Sequence, residues 1–529
     1  MLHDNAVLRR ELLTMLRGHR AFIMQAIFLI VLSFLVLVAW PMDEDYINLR
    51  AERSRTLFKL FAIGELTLVS ILAPVFSAGS VTMEKELHTV DLLFTTQMHV
   101  FSIFIGKLLS SVVYILFLVM STLPMLVICF ILGGLAASDV LSVYGGLMCV
   151  AVLFGLVGLM CSTFFSRTHA SLAITYLIVL PMTLVLVLIV TALTSFVPFF
   201  WIVLVATVIG AMVMVPLTVR RLSQPFSDVE RSAEEERIED QAGLVLMRDR
   251  FPDSLLAPSR RDDLIPDGTN PVLDKEMRFE IFGRGTLLVR LIIQISIGIS
   301  IFFIPLVFTG HEPIYTCYLL SFVVFITPAF ACPSFTQERE RGTFDLLLTS
   351  LVTPEQVITG KLVAACRCTG VLTAFLSLPM VLGLFKDMTV VDLLRHAAVV
   401  GMTIFATAVM SLFFSLFFRT TLVALVVTYL SVLFLYITPA LSLKILEVFA
   451  GGSPGTGSWL MLTSPFFAAF SVGEWEYQNT FFKTGGIPKE MVWAGFNGFY
   501  LLLSLGLLAA MRAGYERFTT GLKAVRMGA

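Results

Sequence analysis

Charge is scarce in this chain. Asp, Glu, Lys and Arg supply 14% of its 529 residues against 57% hydrophobic ones, and the mean hydropathy is +0.89. That balance is too apolar for a soluble domain and points to a bilayer. Cysteine is sparse as well. Of seven, Cys129, Cys149, Cys161, Cys332, Cys366 and Cys368 fall in or beside apolar runs, Cys317 lies near the end of one, and no CxxC pair occurs. A disulfide framework and a thiolate metal site are therefore not expected. The seven histidines are scattered without i,i+4 spacing and no Ser/His/Asp arrangement converges, so neither a metal site nor a catalytic residue is assigned. A P-loop lysine is missing too. Gly452 to Ser458 reads G-x-x-x-x-G-S, but it lacks the Lys that reaches the phosphates and no strand precedes it. The chain is expected to hold no cofactor and to hydrolyse no ATP by itself.

Long apolar runs are abundant. Stretches of about 20 residues, enough to cross a hydrocarbon core of about 30 Å as helix, begin near Ala21, Leu57, Leu108, Leu141, Ala170, Phe199, Leu287, Ile314, Leu362, Ala397, Thr421 and Met491. The fold class expected is an all-α polytopic membrane protein with twelve transmembrane helices. Lys and Arg cluster in residues 1–20, 219–290, 337–367 and 512–526. Because basic residues stay on the cytoplasmic side of short loops, both termini are placed in the cytosol. Arg50, Arg53 and Arg55 fall in the first outer loop, offset by Asp43, Glu44, Asp45 and Glu52. The run from Ala21 to Trp40 follows Arg9, Arg10, Arg17 and Arg20 as in a signal peptide. It is too long and lacks an A-x-A site, so it reads as an uncleaved first span.

One polar cassette occurs twice. EKELHTVDLLFTTQMHVFSIFIGKLL, from Glu84 to Leu109, returns as ERERGTFDLLLTSLVTPEQVITGKLV, from Glu338 to Val363, at a register shift of 254. Asn5-Ala-Val-Leu…Glu11 likewise returns as Asn270-Pro-Val-Leu…Glu276, and Thr175-Tyr176-Leu177 as Thr428-Tyr429-Leu430. The duplication thus covers most of each half. Each half holds six spans, an even number, so the two six-helix repeats run parallel, related by an axis along the membrane normal. We divide the chain into a first repeat at 1–218, a cytosolic linker with a pre-span helix at 219–285, and a second repeat at 286–529. The linker is rich in Arg, Asp, Glu and Pro, as in Glu234-Glu235-Glu236 and Pro266-Asp267-Gly268. The second repeat carries an outer loop at 444–490, whose Gly, Pro, Phe and Trp suggest short helices at the outer interface.

Each cassette follows a span with a cytosolic Glu pair, then an amphipathic stretch opening on Asp91 or Asp345, where a carboxylate favours a helix N-terminus, then Gly-Lys and the next span. Such a stretch can lie along the interface and present a lever to a cytosolic partner; the plain alternative is a connector with snorkelling charges. The order N-x-V-L-x-x-E, two spans, EKExxT or ERERGT, D-L-L-x-T, G-K-L and four more spans resembles the type-2 ATP-binding-cassette (ABC) permeases, in two units fused in one chain. The resemblance implies a permease subunit that exports, as most of the family does, moved by two ABC ATPase subunits on separate chains that carry the ATP and Mg. It implies coupling helices between the second and third spans of each half. Glu84, Glu86, Asp91, Thr95 and Thr96 would belong to the first coupling region, and Glu338, Glu340, Gly342, Thr343, Asp345 and Thr349 to the second. The first copy departs from the second in having Leu87-His88 for Arg341-Gly342. The expected partners are these ATPases and the lipid bilayer, with no nucleic acid, and the expected location is the cytoplasmic (inner) membrane.

Charge inside the spans is rare, and Glu65 is the exception. It is a candidate for lining the translocation path; the alternative is a carboxylate near the outer interface, kept wet and paired with Lys59 or Arg55. Leu319 occupies its place in the second half. Pro74 and Pro328 match across the halves and are candidate hinges, since proline removes a backbone donor and bends a helix. Two rivals remain: a twelve-span secondary transporter, against which stand the missing G-x-x-x-D-R pattern and the scarcity of paired membrane charges, and a non-transporting scaffold moved by an ATPase.

Overall fold

The computed structural model describes residues 6–16, isolated positions in 22–33, 51–86, parts of 89–95, 98–124, 136–165, 168–192, 197–223, 269–277, 286–308, 312–385, 389–449, 462–472 and 489–527. Most of the expected first span, of the linker, and of the outer loop with its P-loop lookalike lies outside these residues. The described residues form helices and turns only. They divide into two compact units, Met1–Asp228 and Val229–Ala529.

In the first unit the helices are α1 (Ala6–Leu16), α2 (Ala51–Ser77), α3 (Thr82–Glu86), α4 (Val100–Met120), α5 (Ala137–Phe164), α6 (Thr168–Ala192) and α7 (Val197–Leu222). In the second they are α8 (Pro271–Lys275), α9 (Thr286–Phe308), α10 (Glu312–Ala331), α11 (Pro333–Glu340), α12 (Phe344–Thr349), α13 (Pro354–Leu376), α14 (Val390–Phe417), α15 (Thr421–Phe449), α16 (Pro465–Phe470) and α17 (Lys489–Met527). Nine helices among the described residues are long and apolar enough to cross a membrane. They correspond to the second to sixth, eighth to tenth and twelfth expected spans. The seventh and eleventh are helical too, in α9 and α15, with shorter described apolar cores at Gln294–Pro305 and Thr421–Tyr436. Helix is what the bilayer permits, because no water is there to satisfy a free backbone N–H or C=O.

Neighbours repeat from unit to unit. In the first, α2 packs on α4, α5 and α6, α5 on α7, and α1 on α4; in the second, α10 packs on α13, α14 and α15, α14 on α17, and α8 on α13. The helix of the second span is central in both. Within the described part of the outer loop, α16 does not lie apart from the bundle: Phe467, Ala468 and Ala469 are buried as it packs on α10, α14 and α17.

Close approach in the first unit depends on Gly158 of α5. A Cβ there would overlap the Ser77 hydroxyl and come within 3.1 Å of the Ala78 nitrogen. The matching pair in the second unit is Ser411 on α14 and Ala331 on α10, so the hydroxyl has changed sides of the same contact. Gly158→Ser is expected to cost about 1–3 kcal/mol through overpacking. Adding Ser77→Ala, which copies the second unit, should recover most of it, as read by thermal unfolding in detergent.

Both candidate hinge prolines are buried inside their helices. The helix does not stop at the proline. The Pro74 carbonyl still accepts from Ala78 N at 2.9 Å and the Pro328 carbonyl from Cys332 N at 2.9 Å. Regular helix ends just past them, at Ser77 and Ala331, and restarts as α3 and α11. Tyr176 and Tyr429 each donate a hydroxyl at 2.8 Å to the carbonyl three residues before the proline, on Ile71 and Phe325. Proline-bearing membrane helices need such outside donors for their backbone.

Candidate coupling joint

A helix interrupted at the membrane surface leaves orphan backbone groups that must find partners. At the first interruption the N–H groups of Val81 and Thr82 donate to Ser162 Oγ on α5 at 2.9 and 3.0 Å. At the second, Phe335 and Thr336 donate to Ser415 Oγ on α14 at 3.1 and 3.2 Å. The carbonyls of Ser80 and Ser334 each accept from a lysine of the next span, Lys107 Nζ and Lys361 Nζ, both at 2.8 Å. These are the lysines of the Gly-Lys pairs. One break is thus held in the same way twice.

Both lysines are 1% exposed, and a buried ammonium requires counter-charge. Lys107 meets Glu11 of α1 at 3.0 Å and Glu84 of α3 at 3.1 Å. Lys361 meets Glu276, just past α8, at 2.5 Å and Glu338 of α11 at 3.3 Å, and Glu338 also takes Lys275 at 2.9 Å. Glu11 and Glu276 are the last residues of the N-x-V-L-x-x-E motif. That motif and the Gly-Lys pair are therefore two sides of one joint between the pre-span helix and the third span. In the second unit Asn270 caps α8, accepting from Val272 N at 3.0 Å, and donates across the joint to the Gln356 carbonyl at 2.7 Å. Gly360 leaves room for this contact, since a Cβ there would lie 2.9 Å from Leu273 N.

The remaining charges of E-K-E and E-R-E serve the fourth and fifth spans. Lys85 Nζ donates to the Ser162, Thr163 and Phe165 carbonyls at 3.0, 2.6 and 2.9 Å, and Arg339 donates to the Phe418 carbonyl at 2.9 Å. A cation is favourable at a helix C-terminus, where carbonyls are left over. Glu86 and Glu340 each accept the first N–H of the fifth span, from Thr168 and Thr421, both at 2.8 Å. A carboxylate is favourable there for the opposite reason. Three consecutive charges fasten the third, fourth and fifth spans to the end of the second.

A match to the family model of the ABC-2 family transporter protein covers residues 200–520. The chain belongs to this family. No curated protein and no solved structure matches it. The ABC-2 match runs from the sixth span through nearly the whole second unit, including its joint. The protein is accordingly a multi-pass membrane permease of an ABC transporter.

The candidate coupling residues separate into two groups in this ABC-2 permease. Glu84, Glu86, Glu338 and Glu340 turn inward, as described. Of the others, Thr95 is exposed, with its hydroxyl on the Leu92 carbonyl at 2.8 Å, and Asp91 and Thr96 lie outside the described residues. Gly342 makes the turn from α11 into α12 at φ +70°, in the left-handed region that L side chains rarely adopt. Thr343 follows, its hydroxyl on the Glu338 carbonyl at 3.2 Å. Asp345 and Thr349 are exposed on α12, beside Leu346 at 69% and Leu351 at full exposure. Beneath them Phe344 is buried. A short helix with a carboxylate in its first turn and outward-facing leucines is thereby mounted on the joint.

Glu65 is fully buried in α2, where Thr122 donates to Oε1 and also lies 2.9 Å from the Tyr144 hydroxyl. It is packed within the first unit, away from water; Leu319 holds the same place in α10, also fully buried. The roles of Lys107, Lys361, Glu11, Glu276, Ser162 and Ser415 were not assigned from sequence. Their signal was present, because each recurs in both halves within a repeated motif or at a repeated register.

Proposed function

We propose that this permease exports its cargo, driven by ATP hydrolysis with Mg on two ABC ATPase subunits carried by separate chains. In this reading the chain is two permease units fused in one polypeptide, at 1–218 and 286–529, joined by a cytosolic linker at 219–285. It sits in the cytoplasmic membrane with both termini in the cytosol. Each ATPase seats on one coupling segment, around Asp91 or Asp345, and moves its own unit. Alternating access then follows from motion of the two halves.

The observation that carries this reading is the repeated joint. A lever works only if the surface a partner pushes on is rigidly tied to the spans that must move. In the second unit α12 exposes Asp345 and Leu346, with Leu351 exposed just past its end, while E-R-E below it holds three spans at once. The first unit repeats the fastening with E-K-E.

The test is co-purification of an ATPase with the tagged chain from detergent-solubilised native membranes. The native chain should recover one, and Asp91→Arg with Asp345→Arg should reduce recovery at least tenfold. Failure to recover any ATPase with the native chain contradicts the reading and favours a secondary transporter. Recovery without ATP-driven cargo movement in reconstituted vesicles would favour the scaffold.

A further inference from the structure

The two joints are alike, and among the described residues the second cassette adds an aromatic tie to the last helix of its unit. Arg339 Cζ lies 4.5 Å from the centre of the Phe344 ring and 5.2 Å from that of Phe518 on α17. The Phe344 and Phe518 rings stand edge to face, 6.3 Å apart at 81°, and Phe344 also meets Phe335 at 6.4 Å. Arg512, nearly two turns earlier on α17, is paired with Glu355 in the first turn of α13. Helix α17 has 39 residues, or about 58 Å at 1.5 Å per residue, roughly twice the thickness of a hydrocarbon core. Its end therefore runs on past the membrane, where α12 is mounted.

The first cassette differs at the two matching positions. Val90 stands where the second has Phe344, and Lys85 where it has Arg339. Lys85 places its ammonium on the three carbonyls at the end of α5. A guanidinium can instead hold a carbonyl with one edge while its flat face covers an aromatic ring, as Arg339 does with Phe418 and Phe344.

We propose that α17 braces the second coupling segment through the Phe518–Arg339–Phe344 stack, so that the two cassettes transmit ATPase motion unequally, the second as the stiffer lever. The brace stands on this chain's geometry; the lever rests on the proposed function. Phe518 is a positioning residue here, and its ring is partly exposed, which makes its replacement compatible with folding.

Two readouts on the full chain test this. Amide hydrogen exchange of the purified permease in detergent should quicken about five- to tenfold across 343–352 in Phe518→Ala, a brace being worth that order of protection. Phe518→Trp should restore it. In the co-purified complex, Phe518→Ala should lower ATP turnover severalfold with the ATPase still bound, and Val90→Ala in the first cassette should lower it less than half as much. Unchanged exchange at 343–352 in Phe518→Ala overturns the brace. Equal losses in Phe518→Ala and Val90→Ala, or no loss in either, overturn the unequal levers. Absence of any ATPase from the native complex removes the lever with the function it rests on, while exchange still decides the brace.

Discussion

Lys361→Met is expected to cost the second unit about 3–5 kcal/mol, enough to remove most correctly folded permease from the membrane. The substitution leaves Glu276, at 6% exposure, without its ammonium, takes one of two from Glu338, at 11%, and frees the Ser334 carbonyl. Breaking a buried pair from one side is costly because the remaining charge stays desolvated. Lys107→Met should cost clearly less. Its partners Glu11 and Glu84 are 21% and 22% exposed, so water takes up part of the lost interaction. A further change, Glu276→Leu on top of Lys361→Met, should recover part of the loss, since Glu338 keeps Lys275 at 2.9 Å. Fluorescence-detected size-exclusion chromatography after a temperature series would rank the four chains. A Lys361→Met chain as stable as native would show that the joint does not hold the unit together.

Ser415→Ala is the second large effect. The hydroxyl accepts from two fully buried residues, Phe335 and Thr336, and donates to the Cys332 carbonyl. Alanine keeps the volume and removes the acceptor. Each unsatisfied buried N–H costs about 1–3 kcal/mol, so a loss of about 2–5 kcal/mol is expected, concentrated where α10 gives way to α11. Cys332 is fully buried there and supplies the readout: its modification by a small maleimide should accelerate by at least tenfold in Ser415→Ala. Equal modification rates in the two chains would mean that the break is held by something other than the serine.

The class of fold was legible because it depends on quantities a sequence displays directly: apolar run length, charge scarcity and a repeated motif. Nine spans appear as long apolar helices among the described residues where the runs placed them. The site was legible in part. The resemblance placed the glutamates of E-K-E and E-R-E in the coupling regions, and the structure shows their side chains turned onto the third and fifth spans. Their direction was hidden for a physical reason. Lys107 lies 96 residues from Glu11 and Lys361 lies 85 from Glu276, and spacing along one helix does not say which neighbouring helix faces it. The repeat held an unused clue: buried lysines need acids, and both Gly-Lys pairs come with the same two glutamates. Pro74 and Pro328 show a similar offset. The prolines were visible as singular residues, whereas the break just beyond them depends on serines from the fourth span that no local pattern announces.

Site-specific photocross-linking in native membranes would test the central claim most directly, with a photoreactive residue at Leu351, the most exposed position beside α12, and a control at Phe302 on α9. The account predicts an adduct with an ABC ATPase from Leu351, altered in yield by ATP and vanadate, and none from Phe302. Absence of an ATPase adduct at Leu351, with efficient lipid cross-linking at Phe302 showing the chemistry to work, would contradict an ATPase seated on this segment.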